Sequence, residues 1–346
     1  MVRLIMDGHP IEVPEQTTIL QAAKTIGVEI PNLCYLECLK PEGICRICVV
    51  EVEGAKNLVP ACNSLVRENM VVHTKSERVV HARKEILELL LSTHDTDCFH
   101  CYKHGNCLFH RYCMEYGVQD EFGGSKEKKP LDTSNPFYDF DPNKCIMCRR
   151  CVRICQELQC VEALAVCDRG PICHIAPAFD LPLAESPCVS CGNCVAQCPT
   201  GALSPKNKLS ANYTKTTKTV CSYCGVGCQL ELLTEDNQVV GALPLDGPAN
   251  HGLLCVKGRF AYHFINHPDR LRQPLIRRGD RLEEASWEEA YAAIAEAFWR
   301  AKKKKQDMPA IAGLSSARCT NEENYLFQKL MRGIGGTNHI DHCARL

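Results

Sequence analysis

Two cysteine runs, "CIMCRRCVRIC" at 145–155 and "CVSCGNCVAQCP" at 188–199, decide how the middle of this chain folds. Both follow the spacing C-x2-C-x2-C-x3-C, which holds 4Fe–4S clusters in pairs, the fourth cysteine of each run serving the other cluster. Zinc is the weaker interpretation, because structural zinc sites rarely use this triple spacing. One cluster is therefore expected on Cys145, Cys148, Cys151 and Cys198, and the other on Cys188, Cys191, Cys194 and Cys155.

Another cysteine pattern lies near the amino terminus, where Cys34, Cys45, Cys48 and Cys62 are separated by ten, two and thirteen residues. Four thiolates suit a 2Fe–2S cluster, and the tight loop "GICRIC" can point backbone amides at it. A structural zinc site is the alternative, but the wide first gap and the β-rich start favour iron. Cys38 competes as a ligand; Cys34 is preferred because it directly follows "IPNL", which closes the preceding segment.

The stretch "THDTDCFHCYKHGNC" (93–107) combines one histidine with three cysteines. Imidazole can replace a thiolate on iron, which changes the cluster charge and hence its reduction potential. The predicted ligands of this 4Fe–4S cluster are His94, Cys98, Cys101 and Cys107. Three neighbouring histidines compete for the same role: His100, His104 and His110. Zinc held by three cysteines and one histidine is the alternative, and the adjacent cysteine groups favour iron.

A last group comes from "CSYCGVGC" (221–228) and "HGLLCVKGRF" (251–260). Its four thiolates again predict a 4Fe–4S cluster. The predicted ligands are Cys221, Cys224, Cys228 and Cys255. Lys257 stands two residues after the last ligand, where a cation either balances the cluster charge or takes part in electron relay; the residues alone give both interpretations equal weight.

Several cysteines belong to none of these groups: Cys38, Cys113, Cys160, Cys167, Cys173, Cys319 and Cys343. Free cysteines are commonly buried as small hydrophobic side chains, and we expect this of these residues. An additional cluster on Cys160, Cys167, Cys173 and His174 would have a spacing that matches no established pattern.

The composition agrees with small, metal-bound units. The chain has 346 residues and 26 cysteines, whereas aromatic residues make up only 6%. So few large side chains do not build one deep core, which favours several small units held by metals. The formal net charge of -1 implies no broad electrostatic attraction to nucleic acid or membranes.

The cysteines are expected to be reduced rather than paired in disulfides. The start "MVRLIMDGHPIEV" (1–13) lacks the basic and apolar segments of a secretory leader. No apolar run reaches the roughly 18 residues that span a bilayer. These features predict a cytoplasmic protein without a membrane span, and thiols stay reduced in that compartment.

Local patterns predict the elements of the first half. "VRLIMDGHPIEV" (2–13) alternates apolar residues around Asp7-Gly8 and predicts a hairpin. Helices are predicted in "TTILQAAKTIG" (17–27) and "ERVVHARKEILELLLSTH" (77–94). Two polar segments rich in helix breakers predict linkers, at 123–136 and 204–218.

The last part of the chain predicts alternating helices and strands. "ASWEEAYAAIAEAFW" (285–299) is amphipathic and begins with a capping box of Ser286 and Glu289. The three elements that follow are a buried strand in "PAIAGL" (309–314), a helix in "TNEENYLFQKLMRGIGG" (320–336) and a strand in "NHI" (338–340).

In this order the cysteine groups resemble the electron-transfer arm of the complex I large iron–sulfur subunit and of cytoplasmic formate dehydrogenases; iron-only hydrogenases share those before residue 200. The later segments are similar to the start of the molybdenum- or tungsten-pterin domain of formate dehydrogenase alpha subunits. Those segments are "CSYCGVGCQ" (221–229), "CVKGRF" (255–260) and "SSARCTNEENYLFQKLMRGIGGTNHIDHCARL" (315–346). The resemblance covers essentially the whole chain.

This resemblance implies a modular α+β fold. A β-grasp 2Fe–2S ferredoxin domain comes first, then a helical segment with the histidine-ligated cluster and a double 4Fe–4S ferredoxin domain. A 4Fe–4S segment then leads into an α/β molybdopterin oxidoreductase domain. The expected boundaries, in that order, are 1–77, 78–122, 137–207, 215–270 and, for the start of the α/β domain, 271–346.

The resemblance also implies an activity, the interconversion of formate and carbon dioxide at a molybdenum or tungsten bis(molybdopterin guanine dinucleotide) cofactor. By the same resemblance Lys257 lies between pterin and cluster as a catalytic relay, and Arg318 contacts the pterin. A solvated or salt-bridged arginine is the alternative interpretation of Arg318. The implied partners are flavin-, NAD(P)- or ferredoxin-linked subunits or a hydrogenase. The alternative is a stand-alone iron–sulfur electron-transfer subunit of a hydrogenase or of an NADH-dehydrogenase-like complex.

In the formate dehydrogenase family a selenocysteine or cysteine that binds the metal follows the position of "CARL" (343–346). The resemblance therefore implies a chain that stops just before its catalytic ligand, as a UGA codon read as a stop would produce, and that does not oxidise formate alone. The strand pattern also predicts an unfinished domain. A parallel sheet needs several crossover connections and cover on both faces, whereas these residues predict only one strand–helix–strand unit.

Overall fold

The computed structural model describes residues 1–119, 128–207, 213–303 and 311–344. The chain divides into a first unit, Met1–Leu209, and a second unit, Ser210–Leu346. Among the described residues, no helix combines the length and the apolar character needed to cross a membrane.

The first unit begins with a five-stranded sheet built on the predicted hairpin. Its strands are β1 (Val2–Met6), β2 (His9–Val13), β3 (Val49–Val52), β4 (Val59–Pro60) and β5 (Met70–His73). They lie in the order β2-β1-β5-β3-β4, and β1 pairs parallel with β5. Asp7 and Gly8 both adopt positive φ, which the two-residue turn of a tight hairpin requires. The hairpin prediction is confirmed.

Helix α1 (Ile19–Thr25) packs on this sheet, inside the segment predicted to be helical. Its amino terminus is closed by a capping box, in which Thr18 and Gln21 satisfy each other's backbone amides. Leu20 and Ala23 enter a core that they share with residues of β1 and β5. This core holds the sheet and the helix together as one small module.

Two further helices, α2 (Glu77–Leu91) and α3 (Leu108–Glu115), follow the sheet. Arg83 of α2 is buried, and its guanidinium donates to the Val49 carbonyl oxygen at 2.8 Å and to the Tyr116 hydroxyl at 2.9 Å. A charge-assisted bond of this kind is stronger than a neutral one. Arg83 therefore ties α2 both to the sheet and to the end of α3.

Helix α2 ends three residues before the predicted end at His94. The His94 amide still donates to the Leu91 carbonyl oxygen, at 3.0 Å, but the Asp95 amide donates to Asn143 at 2.8 Å. A tertiary contact thus replaces the next helical hydrogen bond. The resulting turn leaves His94 just beyond the helix rather than on its last turn.

The rest of the first unit carries the two central cysteine runs on short elements. These are β6 (Tyr138–Phe140), α4 (Arg150–Arg153), β7 (Ala165–Cys167), β8 (His174–Ala176), α5 (Asn193–Gln197) and β9 (Leu203–Pro205). β6 pairs with β9 and β7 with β8, both antiparallel. Arg149 and Gly192, at the same position of the two runs, adopt left-handed backbone immediately before α4 and α5. The two runs therefore fold in the same local way.

The second unit contains a three-stranded antiparallel sheet, a hairpin and a parallel strand pair. Its strands are β10 (Lys215–Val220), β11 (Gln229–Glu235), β12 (Gln238–Pro244), β13 (Leu275–Arg278), β14 (Arg281–Glu284), β15 (Gly313–Ser315) and β16 (Ile340–His342). Its helices are α6 (Val256–Phe260), α7 (Trp287–Lys303) and α8 (Asn321–Leu330). The capping box before α7 is confirmed, with Glu289 N donating to Ser286 Oγ at 3.1 Å.

The two predicted linkers need correction. The segment 204–218 overlaps β9 at its start and β10 at its end, because both ends pair with neighbouring strands; residues 208–212 lie outside the described part. Of 123–136, residues 123–127 also lie outside it. The remainder is bonded to the cysteine-rich region, since Asp132 bridges to Phe140 and Lys129 N donates to Asn143.

The last predicted strands are present but displaced. β15 covers only the end of 309–314, of which 309–310 lie outside the described residues, and its Leu314 is 79% exposed. The prediction of a buried strand is wrong at Leu314. β16 begins two residues later than predicted, because Ile340 N donates to the Asn338 carbonyl oxygen in a turn. The two strands pair in parallel, with Gly313 opposite Ile340.

Candidate metal centres

The four amino-terminal cysteines are all buried, each at most 9% exposed. Cys48 and Cys62 enter the core shared by α1 and the sheet, whereas Cys34 and Cys45 enter a neighbouring core that includes residues of α2 and α3. A hydrogen bond from Cys45 lowers the pKa of the Cys34 thiol to about 6. The corresponding bond from Cys48 lowers the pKa of Cys62. Four thiols that already interact in pairs form a donor set that fits two irons. The rival Cys38 is exposed.

The second group lines a cavity next to α3 and the end of α2. Its predicted ligands all face this space: His94, Cys98, Cys101 and Cys107. His94 is 7% exposed, and its ring packs edge-on against Phe109 with 5.0 Å between centroids. Burial raises the pKa of the Cys98 and Cys107 thiols, which favours neutral thiols until a metal displaces the protons.

The rival histidines are placed differently, and all three are exposed. His100 Nδ1 is 2.9 Å from the Asp97 carboxylate and does not line the cavity. His104 and His110 reach the cavity rim, but His104 Nδ1 lies 3.0 Å from the Cys98 carbonyl oxygen. Of the four histidines only His94 is buried, so the geometry favours it as the nitrogen donor.

Gly201 closes this cavity from the side of the central cysteine runs. A Cβ at position 201 would collide with Cys101 Sγ. The segment that contains Gly201 begins at Cys198, and within it Thr200 Oγ1 donates to the Lys144 carbonyl oxygen at 2.7 Å. Residues 198–201 therefore touch two predicted centres at once. Spacing gave no signal for Gly201, because a glycine after a cysteine run has many explanations.

In the central region the fourth cysteine of each run lies with the other run. Burial raises the pKa of Cys145 to about 12, and the neighbouring Cys198 adds to the rise. Burial likewise raises the pKa of Cys155, with Cys188 and Cys191 adding to it. A second cavity is lined by the thiols Cys155, Cys188, Cys191 and Cys194. These side-chain positions fit the exchange of fourth ligands that the spacing predicts, and the ligand assignment itself stays a prediction.

Backbone amides already point at several of these sulfurs. Met147 N lies 3.4 Å from Cys145 Sγ, and Ser190 N lies 3.4 Å from Cys188 Sγ. Met147 and Ser190 both have positive φ, which turns their amides inward. Amide donors stabilise the negative charge that thiolates carry on iron, so the loops fit anionic clusters.

Tyr138 is a further residue that cysteine spacing did not indicate. It is 1% exposed, and its hydroxyl lies 3.1 Å from Cys188 Sγ. Burial raises the pKa of Tyr138 above its usual value. The hydroxyl is therefore protonated at neutral pH and can donate to a thiolate at position 188.

Arg150 lies between the amino-terminal group and one central group. It is 8% exposed, and its guanidinium donates to the Tyr35 carbonyl oxygen at 2.9 Å. Its positive charge acts on both sides, lowering the pKa of Cys34 and opposing the rise at Cys148. Arg150 therefore stabilises thiolates of two separate centres at once.

In the second unit the last four cysteines gather at one edge of the three-stranded sheet. Cys221 N donates to the Cys228 carbonyl oxygen at 2.8 Å, which brings the two ends of "CSYCGVGC" together. Burial raises the pKa of Cys221, and Cys255 and Cys224 add to it. Cys224 and Cys255 are exposed, so this group is more open than those of the first unit.

The two cofactor residues suggested by resemblance both lie near this group. Lys257, in α6, lines a cavity together with Cys221 and Tyr223. Arg318 is close enough to Tyr223 for its charge to act on the tyrosine pKa. The adjacent Ala317 carbonyl oxygen lies 3.3 Å from where a Cβ of Gly225 would be. The 316–318 loop therefore packs against the cysteine loop.

The expectation that the remaining cysteines are buried is only partly right. Cys113 is buried, as expected, and burial raises its pKa to about 12. Three are exposed instead, because they lie in surface loops or near the described end of the chain: Cys38, Cys160 and Cys343. Three have intermediate exposure: Cys167, Cys173 and Cys319.

Five protein-family models match the chain and together define its class. They are a 2Fe–2S iron–sulfur cluster binding domain (1–77), an NADH-ubiquinone oxidoreductase-G iron–sulfur binding region (83–121), a ferredoxin-like domain of NADH-quinone oxidoreductase subunit 3 (135–204), a molybdopterin oxidoreductase Fe4S4 domain (214–267) and a molybdopterin oxidoreductase domain (270–346). The chain is an iron–sulfur member of the molybdopterin oxidoreductases, and its iron–sulfur domains are of the kind found in NADH-quinone oxidoreductases.

Two curated relatives are similar to the chain, and their names describe different activities. The chain is 40% identical over 351 residues to the NADPH-Fe(3+) oxidoreductase subunit alpha of Geobacter sulfurreducens, covering all of this chain and 40% of that one. It is 34% identical over 383 residues to a Staphylococcus aureus (strain USA300) protein provisionally named formate dehydrogenase, covering 98% of this chain and 39% of that one. The chain thus spans about two fifths of the length of these relatives.

A solved structure also resembles the chain. A chain of the NAD+-reducing [NiFe]-hydrogenase, crystallised in the H2-reduced state, matches with a TM-score of 0.56 and 29% identity. The match covers 62% of this chain and 90% of that chain. The fold of the matched part of the chain is therefore similar to that of a chain from a hydrogenase.

Proposed function

We propose that this chain is the iron–sulfur electron-transfer arm of a formate dehydrogenase, carrying electrons between a molybdenum- or tungsten-pterin site and a partner subunit. One observation carries the proposal. Five groups of interacting cysteine side chains, one of them with a buried histidine, precede the start of a molybdopterin oxidoreductase domain. In this proposal the groups would hold one 2Fe–2S and four 4Fe–4S clusters.

The residues of the chain set the conditions for electron transfer. When bound, the clusters supply one-electron redox chemistry. The thiolates and His94 would hold them, and the amides at Met147 and Ser190 would stabilise their negative charge. Arg150 places a buried cation between two of them. The protein's contribution is therefore ligand geometry, local charge and exclusion of water.

The formate assignment rests on the second unit. The similarity to the Staphylococcus aureus protein extends across 98% of this chain. Lys257 beside the Cys221 group, and Arg318 in the loop that packs on it, suit a cationic path between an anionic pterin and an anionic cluster. A bis(molybdopterin guanine dinucleotide) cofactor with molybdenum or tungsten would supply the two-electron chemistry of formate.

A second candidate has its own supporting observation. The chain resembles a hydrogenase chain over 90% of that chain's length, and the Geobacter sulfurreducens relative is named for NADPH and Fe(3+) rather than for formate. In this alternative the chain is the electron-transfer part of an NAD(P)H- or hydrogen-linked complex. The same ligand groups serve both candidates, so only the electron donor separates them.

The test is a reduction experiment on protein isolated anaerobically from its own cells with bound cofactors and subunits retained. Iron and sulfide should each approach about 18 per chain, the sum for the proposed clusters. Formate should reduce clusters visible by electron paramagnetic resonance, while NADPH and hydrogen are tried in parallel samples. Reduction by NADPH or hydrogen with none by formate would favour the second candidate. Stoichiometric zinc with little iron would refute both.

A further inference from the structure

Three side chains outside the proposed cluster groups meet in the segment that connects the two central cysteine runs. Cys167 ends β7 and His174 begins β8, directly opposite each other in the antiparallel register. Asp180 ends the short helical turn Ala178–Asp180. One ligand atom from each side chain lies within 4.8 Å of the other two. Sulfur, nitrogen and carboxylate oxygen donors are therefore gathered at one point of the first unit.

The surroundings of His174 favour a cation at this point. Its Nδ1 lies 3.0 Å from the Ile172 carbonyl oxygen, and its Nε2 lies 2.7 Å from Asp180 Oδ1. Both neighbours are acceptors, whereas a neutral imidazole has only one N–H. If Nδ1 donates to Ile172, the Nε2 lone pair faces a carboxylate. A proton on Nε2, or a metal ion bound by Nε2 and Oδ1 once these two atoms move slightly apart, removes the conflict. A backbone acceptor on the other ring nitrogen is also how metal-bound histidines are oriented.

The backbone that delivers Asp180 is conformationally costly. Phe179 and Asp180 both adopt positive φ, at 60° and 53°, which is uncommon for residues with a side chain and most unfavourable for bulky ones. The Phe179 side chain is 94% exposed, so its own packing does not offset this cost. The turn brings the Asp180 carboxylate back to His174, and the contact between these two side chains offsets the cost of the backbone conformation.

We propose that Cys167, His174 and Asp180 bind one zinc ion, with a water molecule as the fourth ligand. Mixed sulfur, nitrogen and oxygen donors suit zinc, whereas magnesium and calcium take oxygen ligands almost exclusively. An iron–sulfur cluster is disfavoured because the group contains only one thiol. Asp180 is exposed to solvent, which leaves the fourth position open to water. The ion would fasten β7, β8 and the following turn between the two cysteine runs.

The test uses the full chain, first loaded anaerobically with iron and sulfide and then dialysed against a small excess of zinc chloride. We expect about one zinc per chain by elemental analysis. Zinc K-edge absorption should show one sulfur and three nitrogen or oxygen neighbours, a readout that iron does not obscure. His174→Gln and Asp180→Asn should each weaken zinc binding by at least about tenfold. Cys160→Ser, at an exposed cysteine of the same segment, is the matched control and should bind normally.

Three results would overturn this proposal. They are zinc remaining far below one per chain, zinc surrounded mainly by sulfur, and both variants binding zinc like the unmodified chain. Sulfur-rich zinc would mean occupation of empty cluster sites instead. The iron content and the cluster spectra of the same samples test the electron-transfer function separately, so failure of one proposal is distinguishable from failure of the other. Unchanged iron in the variants also shows that they have folded.

Discussion

The thiol groups of the first and second units have the same ligand chemistry in very different surroundings. In the first unit several of them lie inside cores built by elements far apart in sequence; one such core contains Cys34, Leu87, Phe109 and Cys148 together. In the second unit Cys224 and Cys255 are exposed, and the described residues of helices α7 and α8 include none that is buried. Spacing indicates which cysteines can share a metal group. Packing decides how well it is shielded.

The largest expected effect tests whether the central groups share their fourth ligands. Cys198→Ser should remove or convert the cluster on Cys145, while the cluster on Cys188 remains; Cys155→Ser should do the reverse. The reason is that each fourth cysteine lies with the other run. Electron paramagnetic resonance of the two reduced variants, with iron analysis, measures the result, and each variant is the control for the other.

If each variant instead lost the cluster of its own run, the exchanged arrangement would be wrong. The contrast between the units would then need revision too. A run that closed on its own fourth cysteine would tie the two halves of the central region together less strongly. Its shielding would then depend less on distant elements.

The next prediction tests shielding directly. In the fully loaded chain, a ferrous chelator should remove iron from the Cys221 group at least about tenfold faster than from the central groups, a difference of about 1.4 kcal/mol in activation free energy. The exposed Cys224 and Cys255 give the chelator access. Stopped samples followed by electron paramagnetic resonance show which signal disappears first. Loss of all signals at one rate would mean that exposure of the thiols does not control release.

The sequence predicted only part of this contrast between the two units. Spacing predicted which cysteines group together, because iron–sulfur ligation fixes short intervals along the chain. It also favoured His94 over three rivals without excluding them. What separated His94 from these rivals was burial against Phe109, which depends on how two helices pack. Packing of this kind leaves no short-range signature.

Residues that act across the fold were also missed. Arg150 lies inside a cysteine run, yet its contacts with Tyr35 come from a segment more than a hundred residues away. Tyr138 precedes both central runs and reaches Cys188 only because β6 pairs with β9. The displaced end of α2 has the same origin, since a contact with Asn143 replaces a helical bond. Long-range pairing decided each of these cases.

A third prediction tests how tightly the centres of the first unit are packed together. Gly201→Ala should disturb the cluster held by His94 and Cys101, because the new Cβ collides with Cys101 Sγ. Overpacking of this kind typically costs about 1–3 kcal/mol. A broadened or shifted signal for that cluster, with the Cys188 signal unchanged, is the expected spectrum. Gly333→Ala in the second unit is the control, since a Cβ there meets no atom within 4 Å.

An unchanged spectrum for Gly201→Ala would show that the segment 198–201 moves away without cost. The centres of the first unit would then be less tightly coupled than their contacts indicate. A signal lost equally in both glycine variants would point to a general effect of alanine rather than to the collision.

The smallest expected effect concerns one hydrogen bond. Tyr138→Phe removes the hydroxyl that lies 3.1 Å from Cys188 Sγ. A donor to a ligand sulfur stabilises the more negative, reduced cluster, so the reduction potential of the Cys188 cluster should fall. A net hydrogen bond of about 1 kcal/mol corresponds to roughly 40 mV for one electron. Redox titration followed by electron paramagnetic resonance measures the shift.

The second unit provides the control for this last change. Tyr262 is also buried, but its hydroxyl donates to the Val240 carbonyl oxygen at 2.9 Å rather than to a thiol. Tyr262→Phe should therefore leave the potential of the Cys188 cluster where it was. A fall in that potential in Tyr262→Phe, or a rise in Tyr138→Phe, would contradict the assignment of Tyr138 as a donor. It would also show that charge and burial around the cluster, rather than this single bond, set its potential.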